Sequence, residues 1–89
     1  MSWSIDLSKS TLKFLKKQPV LEGILMKELS KFAQKLSGEI VNIDLKKLSG
    51  KWAGCSRIRK GDIRIIVTAD MDEEVIYVES IDFRGDVYK

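Results

Sequence analysis

The sequence predicts an α+β fold: an N-terminal strand, a helical hairpin and then a three-stranded antiparallel meander, with the helices packed on one face of the sheet. Three observations predict it. Apolar residues recur at helical spacing from Leu12 to Leu36. After Gly50 the period changes to two. The single proline, Pro19, and the glycines Gly38 and Gly61 stand where such elements must stop or turn. At 89 residues, the stretch 1–89 is read as one domain with no room for a second core.

The elements follow in chain order. Ser2 to Leu7 alternates loosely, with Trp3, Ile5 and Leu7 on one side, and reads as a short strand with Trp3 turned to the core. Ser8 or Ser10 can cap a helix through Leu12, Leu15 and Lys16, which Gln18-Pro19 stops. A second helix runs from Val20, its apolar face Leu21, Ile24, Leu25, Leu29, Phe32, Ala33 and Leu36. Its wet face is Lys27, Glu28, Lys31, Gln34 and Lys35, and Ser37-Gly38 ends it. Residues 39–50 read as a connection that closes on Lys46-Lys47-Leu48-Ser49-Gly50.

Trp52 to Arg59, Asp62 to Ala69 and Val75 to Phe83 are the three meander strands, rich in Ile, Val and aromatics. Lys60-Gly61 serves as a two-residue hairpin turn. That turn sets Arg57 opposite Arg64 and Ile58 opposite Ile63. Ile58, Ile63, Ile65 and Val67 then share a face that the helices can cover, and Arg57, Arg59 and Arg64 share the other. Like charges directly opposite cost roughly 0.2–1 kcal/mol on a sheet. An anionic ligand or a neighbouring carboxylate relieves such a cost.

Composition excludes several functions. There is no histidine, which removes a histidine-ligated metal site, a Ser-His triad and the usual histidine pair of a ribonuclease. Cys55, the one cysteine, has no internal partner and suits a reducing cytoplasm. No apolar run approaches the ~20 residues of a membrane span, and the N-terminus lacks a basic-then-apolar signal peptide. The net charge is +3, unevenly placed. Residues 1–50 carry nine lysines against five acids, whereas the four arginines, Arg57, Arg59, Arg64 and Arg84, all follow position 56. Arginine's planar fork matches phosphate bidentately and stays charged at any working pH.

Three strings carry a resemblance. They are Lys47-Leu48-Ser49-Gly50, the run from Ser56-Arg57-Ile58-Arg59-Lys60-Gly61 through Asp62-Ile63-Arg64-Ile65-Ile66, and the run Ile81-Asp82-Phe83-Arg84-Gly85-Asp86-Val87-Tyr88. With the predicted element order they resemble the RelE/ParE toxin superfamily over essentially the whole chain. The resemblance implies a toxin of a toxin–antitoxin pair, and in its RelE-like branch a ribosome-dependent, metal-independent endonuclease that cleaves messenger RNA and so inhibits translation. No cofactor is implied. In that branch the RNA's 2′-OH attacks the adjacent phosphodiester, leaving a cyclic phosphate and a 5′-OH.

Carried over by matching position, the catalytic candidates are Arg57, Arg59, Arg64, Arg84 and Tyr88. Lys46, Lys47, Lys51 and Lys60 are the candidates for messenger or ribosomal phosphates, although lysines on a connection are ordinarily just solvated. Arg64 and Arg57 suit charge stabilisation at a phosphate. Arg84 suits the leaving oxygen, and Tyr88 suits base stacking or proton transfer. The best-known RelE pattern has lysines where Arg57 and Arg59 stand, and relatives often have histidine at Phe83. The general base is therefore open among Lys60, Asp62, Asp86 and Tyr88, and catalysis is expected to rest on positioning and charge. Trp52 is a stacking candidate whose ordinary role is packing; Tyr77 is read as cross-strand packing and Cys55 as inert.

The implied partners are a cognate antitoxin with an acidic segment, the ribosome and its message, and operator DNA only through the toxin–antitoxin complex; no membrane partner is expected. The competing reading is a ParE-type gyrase inhibitor without nuclease chemistry. A third is a degenerate member that binds only antitoxin or operator.

Overall fold

Ser8 decides how the chain leaves its first strand. Its extended backbone (φ −66°, ψ 163°) lets its Oγ accept from Thr11 N–H at 3.2 Å, which caps a helix. The Ser8 N–H donates to the Val78 carbonyl at 3.0 Å, and its hydroxyl donates to the Glu79 carbonyl at 2.9 Å. One residue thus ends β1 (Ser4–Leu7), starts α1 (Lys9–Lys17) and pins both to β5 (Val75–Phe83). Ser8→Ala removes the cap and orphans Thr11 N–H, an expected loss of about 1–2 kcal/mol. Urea denaturation checks it: a lower midpoint with an unchanged slope is the expected result.

In the computed structural model, residues 3–83 are described; Arg84, Asp86 and Tyr88 lie outside them. The order is β1, α1, α2 (Leu21–Leu36), β2 (Asp44–Lys47), a 3₁₀ turn at Gly50–Trp52, β3 (Ser56–Lys60), β4 (Ile63–Asp70) and β5. α1 ends where Gln18 N–H bonds the Phe14 carbonyl just before Pro19. α2 ends in a Schellman closure: Glu39 N–H to the Gln34 carbonyl and Gly38 N–H to Lys35, both 3.0 Å, with Gly38 at φ +94°. A side chain at Gly38 would strain that left-handed backbone.

The sheet has five strands in the order β1-β5-β4-β3-β2, with β1 parallel to β5 and the rest antiparallel. Its β2 corrects the expectation that 39–50 is only a connection. Leu45 in Asp44–Lys47 pairs with Ile58 and joins the core, while its neighbours are polar, so a four-residue edge strand carries almost no periodicity signal.

Helices and sheet meet through one apolar layer. Leu15, Leu21, Leu25, Leu29 and Phe32 come from the helices, and Ile58, Ile63, Ile65, Val67, Ile76, Val78 and Ile81 from the sheet, all buried. Trp3 packs against this layer as expected. Two α2 assignments are exchanged. Ile24 is exposed, and Glu28, expected on the wet face, is only 2% exposed with Lys31 Nζ 3.3 Å away. Glu28 stands one turn from both Leu25 and Phe32, so the buried stripe includes it, and the Lys31 ammonium offsets its charge.

The β3–β4 turn is Gly61-Asp62 rather than Lys60-Gly61. Gly61 has φ +59°, and a hairpin turn with glycine at its first central position is the type II′ arrangement. Lys60 therefore opposes Ile63, Arg59 opposes Arg64, and Arg57 opposes Ile66. The register differs from the expected one by two positions. Because a strand alternates with period two, every side chain keeps its predicted face. Trp52 lies in the 3₁₀ turn and not in a strand, so β3 starts only at Ser56. In β5 the ladder steps from Ile66–Ser80 to Val67–Val78, leaving Glu79 as a bulge whose carboxylate accepts from Thr68 Oγ1 at 3.3 Å.

Candidate functional site

The face of the sheet away from the helices presents two rows across adjacent strands. The first reads Asp44, Arg59, Arg64, Asp82 and the second Lys46, Arg57, Ile66, Ser80. Residues directly opposite have Cβ atoms about 4.5–5.5 Å apart. Three guanidinium groups are thus brought to one side, as the alternation predicts. Arg64 stands on the central strand, between Arg59 and Asp82.

Arg57 is the one of the three held by an ion pair among the described residues. Its side chain is 17% exposed, Nη2 donates to Asp44 Oδ1 at 2.9 Å, and Nε is buried without a partner. Among the described residues neither Arg59 nor Arg64 has a carboxylate within 4 Å. The like-charge cost expected for Arg57 and Arg64 falls instead on Arg59 and Arg64, with Asp44 and Asp82 at the two ends of their row. An anion between those two guanidiniums would lower that cost.

A shallow groove of ≈ 180 Å³ opens here, lined by Leu48, Trp52, Arg57, Arg64, Ile66, Ser80 and Asp82. It pairs two arginine forks with an indole that is 40% exposed. A roomier hollow of ≈ 540 Å³ lies on the other side, between Phe32, Leu36, Leu45 and Met71, and contains no arginine. The chemistry, not the volume, selects the smaller one.

The remaining candidates separate. Lys46 shares the arginine face opposite Arg57, whereas Lys47 opposes Ser56 and belongs to the other face. Lys51 is exposed on the 3₁₀ turn beside Trp52, and Lys60 is exposed at the end of β3 with the parity of Ile58. Asp62 sits in the hairpin turn. Arg84 and Tyr88 lie outside the described residues. Burial pushes the Cys55 thiol up, and the Glu79 carboxylate adds to the rise, so Cys55 is a neutral thiol and a poor nucleophile. Among the described residues no group of three His, Cys, Asp or Glu is placed to hold a metal ion, and no helix is long and apolar enough to cross a membrane.

Asp44, Asp82 and Leu48 are the site residues that sequence reasoning missed. Asp44 and Leu48 lay in the stretch read as a connection. Asp82 stood in a predicted strand, but its place beside Arg64 follows only from the bulged β4–β5 register.

The arrangement of one helical hairpin on this sheet is shared with solved structures. A chain of the archaeal RelE–RelB complex from Pyrococcus horikoshii superposes with a TM-score of 0.61 at 26% identity, over 96% of this chain and 98% of that one. The fold is that of the RelE-like toxins. A chain of the RelB–RelE antitoxin–toxin complex from Methanococcus jannaschii gives 0.66 at 22% identity, covering 93% and 94%. A metal-bound toxin from Helicobacter pylori gives 0.74 at 15% identity, covering 98% and 100%. No protein-family model and no curated protein matches the sequence. Within a RelE-like fold, the string at 56–66 falls on β3 and β4 and residues 81–83 on the end of β5, strands that line the groove, while 47–50 runs from the end of β2 into the 3₁₀ turn and residues 84–88 lie outside the described residues.

Proposed function

We propose that the protein is the toxin of a toxin–antitoxin pair and that it cleaves messenger RNA on the ribosome through the 2′-OH of the message. The observation that carries this reading is the convergence of Arg57, Arg59 and Arg64 on one open sheet face of a RelE-like fold. Internal attack needs an aligned 2′-OH, an acceptor for its proton, charge stabilisation on the phosphorane and a proton for the leaving 5′-oxygen. Arg64 and Arg57 both line the groove and meet the third need with permanently charged forks. The Asp44 carboxylate holds Arg57 in the groove wall, so its fork is set before a ligand arrives. Trp52 offers a face for a base. Arg84 and Tyr88 enter this proposal by sequence resemblance, as leaving-group and stacking or proton-transfer residues.

The sheet face supplies positioning and charge but no imidazole, so alignment by the ribosome supplies what the side chains lack. Naked RNA is therefore a poor substrate. Solved relatives include complexes of RelE with RelB and of YoeB with YefM. By the same likeness this protein has a cognate antitoxin, and the cations around the groove favour an acidic segment in it.

Controlled expression tests the reading. Translation is expected to fail first, with messages shortened within coding regions, while plasmid supercoiling stays normal. Early loss of supercoiling with intact messages would instead establish the gyrase-directed alternative.

A further inference from the structure

A carboxylate lines a groove whose ligand is an anion. Asp82 is exposed at the end of β5, directly opposite Arg64, and shares the groove with Arg57, Ser80 and Trp52. Among the described residues it has no cation within 4 Å, so it does not close an ion pair with Arg64. The core does not use it either, since Ile76, Val78 and Ile81 carry the buried side of β5. For binding a phosphate backbone it is a defect, because a fixed negative charge beside the forks repels what they attract. A group that serves neither folding nor binding is explained by the reaction.

The lining says which part of the reaction. Attack by the 2′-OH needs a proton acceptor within hydrogen-bond reach. The acceptors left open by the sequence are not in the groove. Lys60 has the parity of Ile58, Asp62 sits in the hairpin turn, and Asp86 and Tyr88 lie outside the described residues. Within the groove, the Arg57 and Arg64 guanidiniums and the Trp52 indole only donate, and the Ser80 hydroxyl is a weak neutral acceptor. Asp82 alone brings a carboxylate.

Its position agrees. Residues directly opposite on a ladder have Cβ atoms about 4.5–5.5 Å apart, which sets the Asp82 carboxylate beside the Arg64 fork. In a reactive pose the attacking oxygen lies about 3–3.5 Å from its phosphorus. A carboxylate one residue's spacing from the fork that holds the phosphate therefore meets the 2′-OH before it meets a base edge.

We propose that Asp82 is the general base of the cleavage, taking the proton from the 2′-OH while Arg64 holds the phosphate. The O2′–P bond forms and the P–O5′ bond breaks. The 2′-proton passes to an Asp82 carboxylate oxygen, and the departing 5′-oxygen takes a proton drawn from solvent water. Asp82 then returns its proton to water, so the products are the cyclic phosphate and the 5′-OH with nothing consumed. This assignment rests on the nuclease reading above and adds to it the residue that moves the proton.

Asp82→Asn on ribosomes carrying a message tests it. The single-turnover rate is expected to fall about 10²–10⁴-fold, while affinity for the loaded ribosome stays equal or tightens, because an anion has left the groove. The thermal melt is expected to be unchanged, since Asp82 is exposed and makes no ion pair among the described residues. A second message separates base from acid. Sulfur in place of the bridging 5′-oxygen departs without needing a proton, and the defect of the variant is expected to persist on it. Full rate in Asp82→Asn, a defect that disappears with the sulfur leaving group, weaker binding, or a lowered melt would each overturn the assignment. In all four outcomes the unsubstituted protein still cuts, so the nuclease reading stands. An unsubstituted protein that cuts no ribosome-bound message overturns that reading and this assignment together.

Discussion

Arg64→Ala is expected to abolish growth arrest and to lower cleavage of ribosome-bound message about 10²–10³-fold while leaving the fold as stable as before. The size follows from what Arg64 does. It is the central-strand guanidinium of the groove, and removing one donor aimed at developing charge typically costs about 2.7–4 kcal/mol of transition-state stabilisation. The unchanged stability follows from what surrounds it. Arg64 faces Arg59 across the ladder and makes no ion pair within 4 Å among the described residues, so its loss relieves roughly 0.2–1 kcal/mol of repulsion. Single-turnover kinetics and a thermal melt on the same sample separate the two. Arg64→Lys keeps the charge without the fork and is expected to recover only part of the rate. Full toxicity of the alanine variant, or a loss that accompanies unfolding, would remove Arg64 from the chemistry.

Ile65→Ala has the opposite signature. Ile65 is fully buried in β4 between Ile58 and Ile81, the middle row of the core under the helices. Truncation there costs about 2–5 kcal/mol, against a total of about 5–15 kcal/mol for a domain of this kind. Each kcal/mol lowers the melting temperature roughly 4–8 °C at this size, so calorimetry should show a drop of about 8 °C or more. Toxicity then falls with the folded fraction and returns on cooling, which no temperature restores to Arg64→Ala.

The two substitutions sit on neighbouring residues of one strand, and this alternation is what made the site readable. Arg57, Arg59 and Arg64 were assignable to one face because an error of two positions in the hairpin leaves parity intact. Their partners were not assignable. Whether Lys60 or Gly61 opens the turn is decided by which residue takes a positive φ, and Gly61 takes it, moving Arg64 from Arg57 to Arg59. Helix ends were legible where a specific residue does the work, at Pro19 and Gly38, while the first cap was open between Ser8 and Ser10 until the structure placed it at Ser8. The edge strand Asp44–Lys47 was not, since half of it faces solvent and one leucine does its packing. With it went the Asp44–Arg57 pair, which links residues thirteen apart and depends on that strand existing. Glu28 escaped because a carboxylate at a buried helical position contradicts the polarity on which the period is read.

Cleavage of a ribosome-bound message carrying a single 2′-deoxynucleotide at the scissile position tests most directly that these guanidiniums assist attack by the RNA itself. The protein is expected to leave that message uncut while cutting the all-ribose control to a cyclic phosphate and a 5′-OH. Equal cleavage of both messages would contradict it.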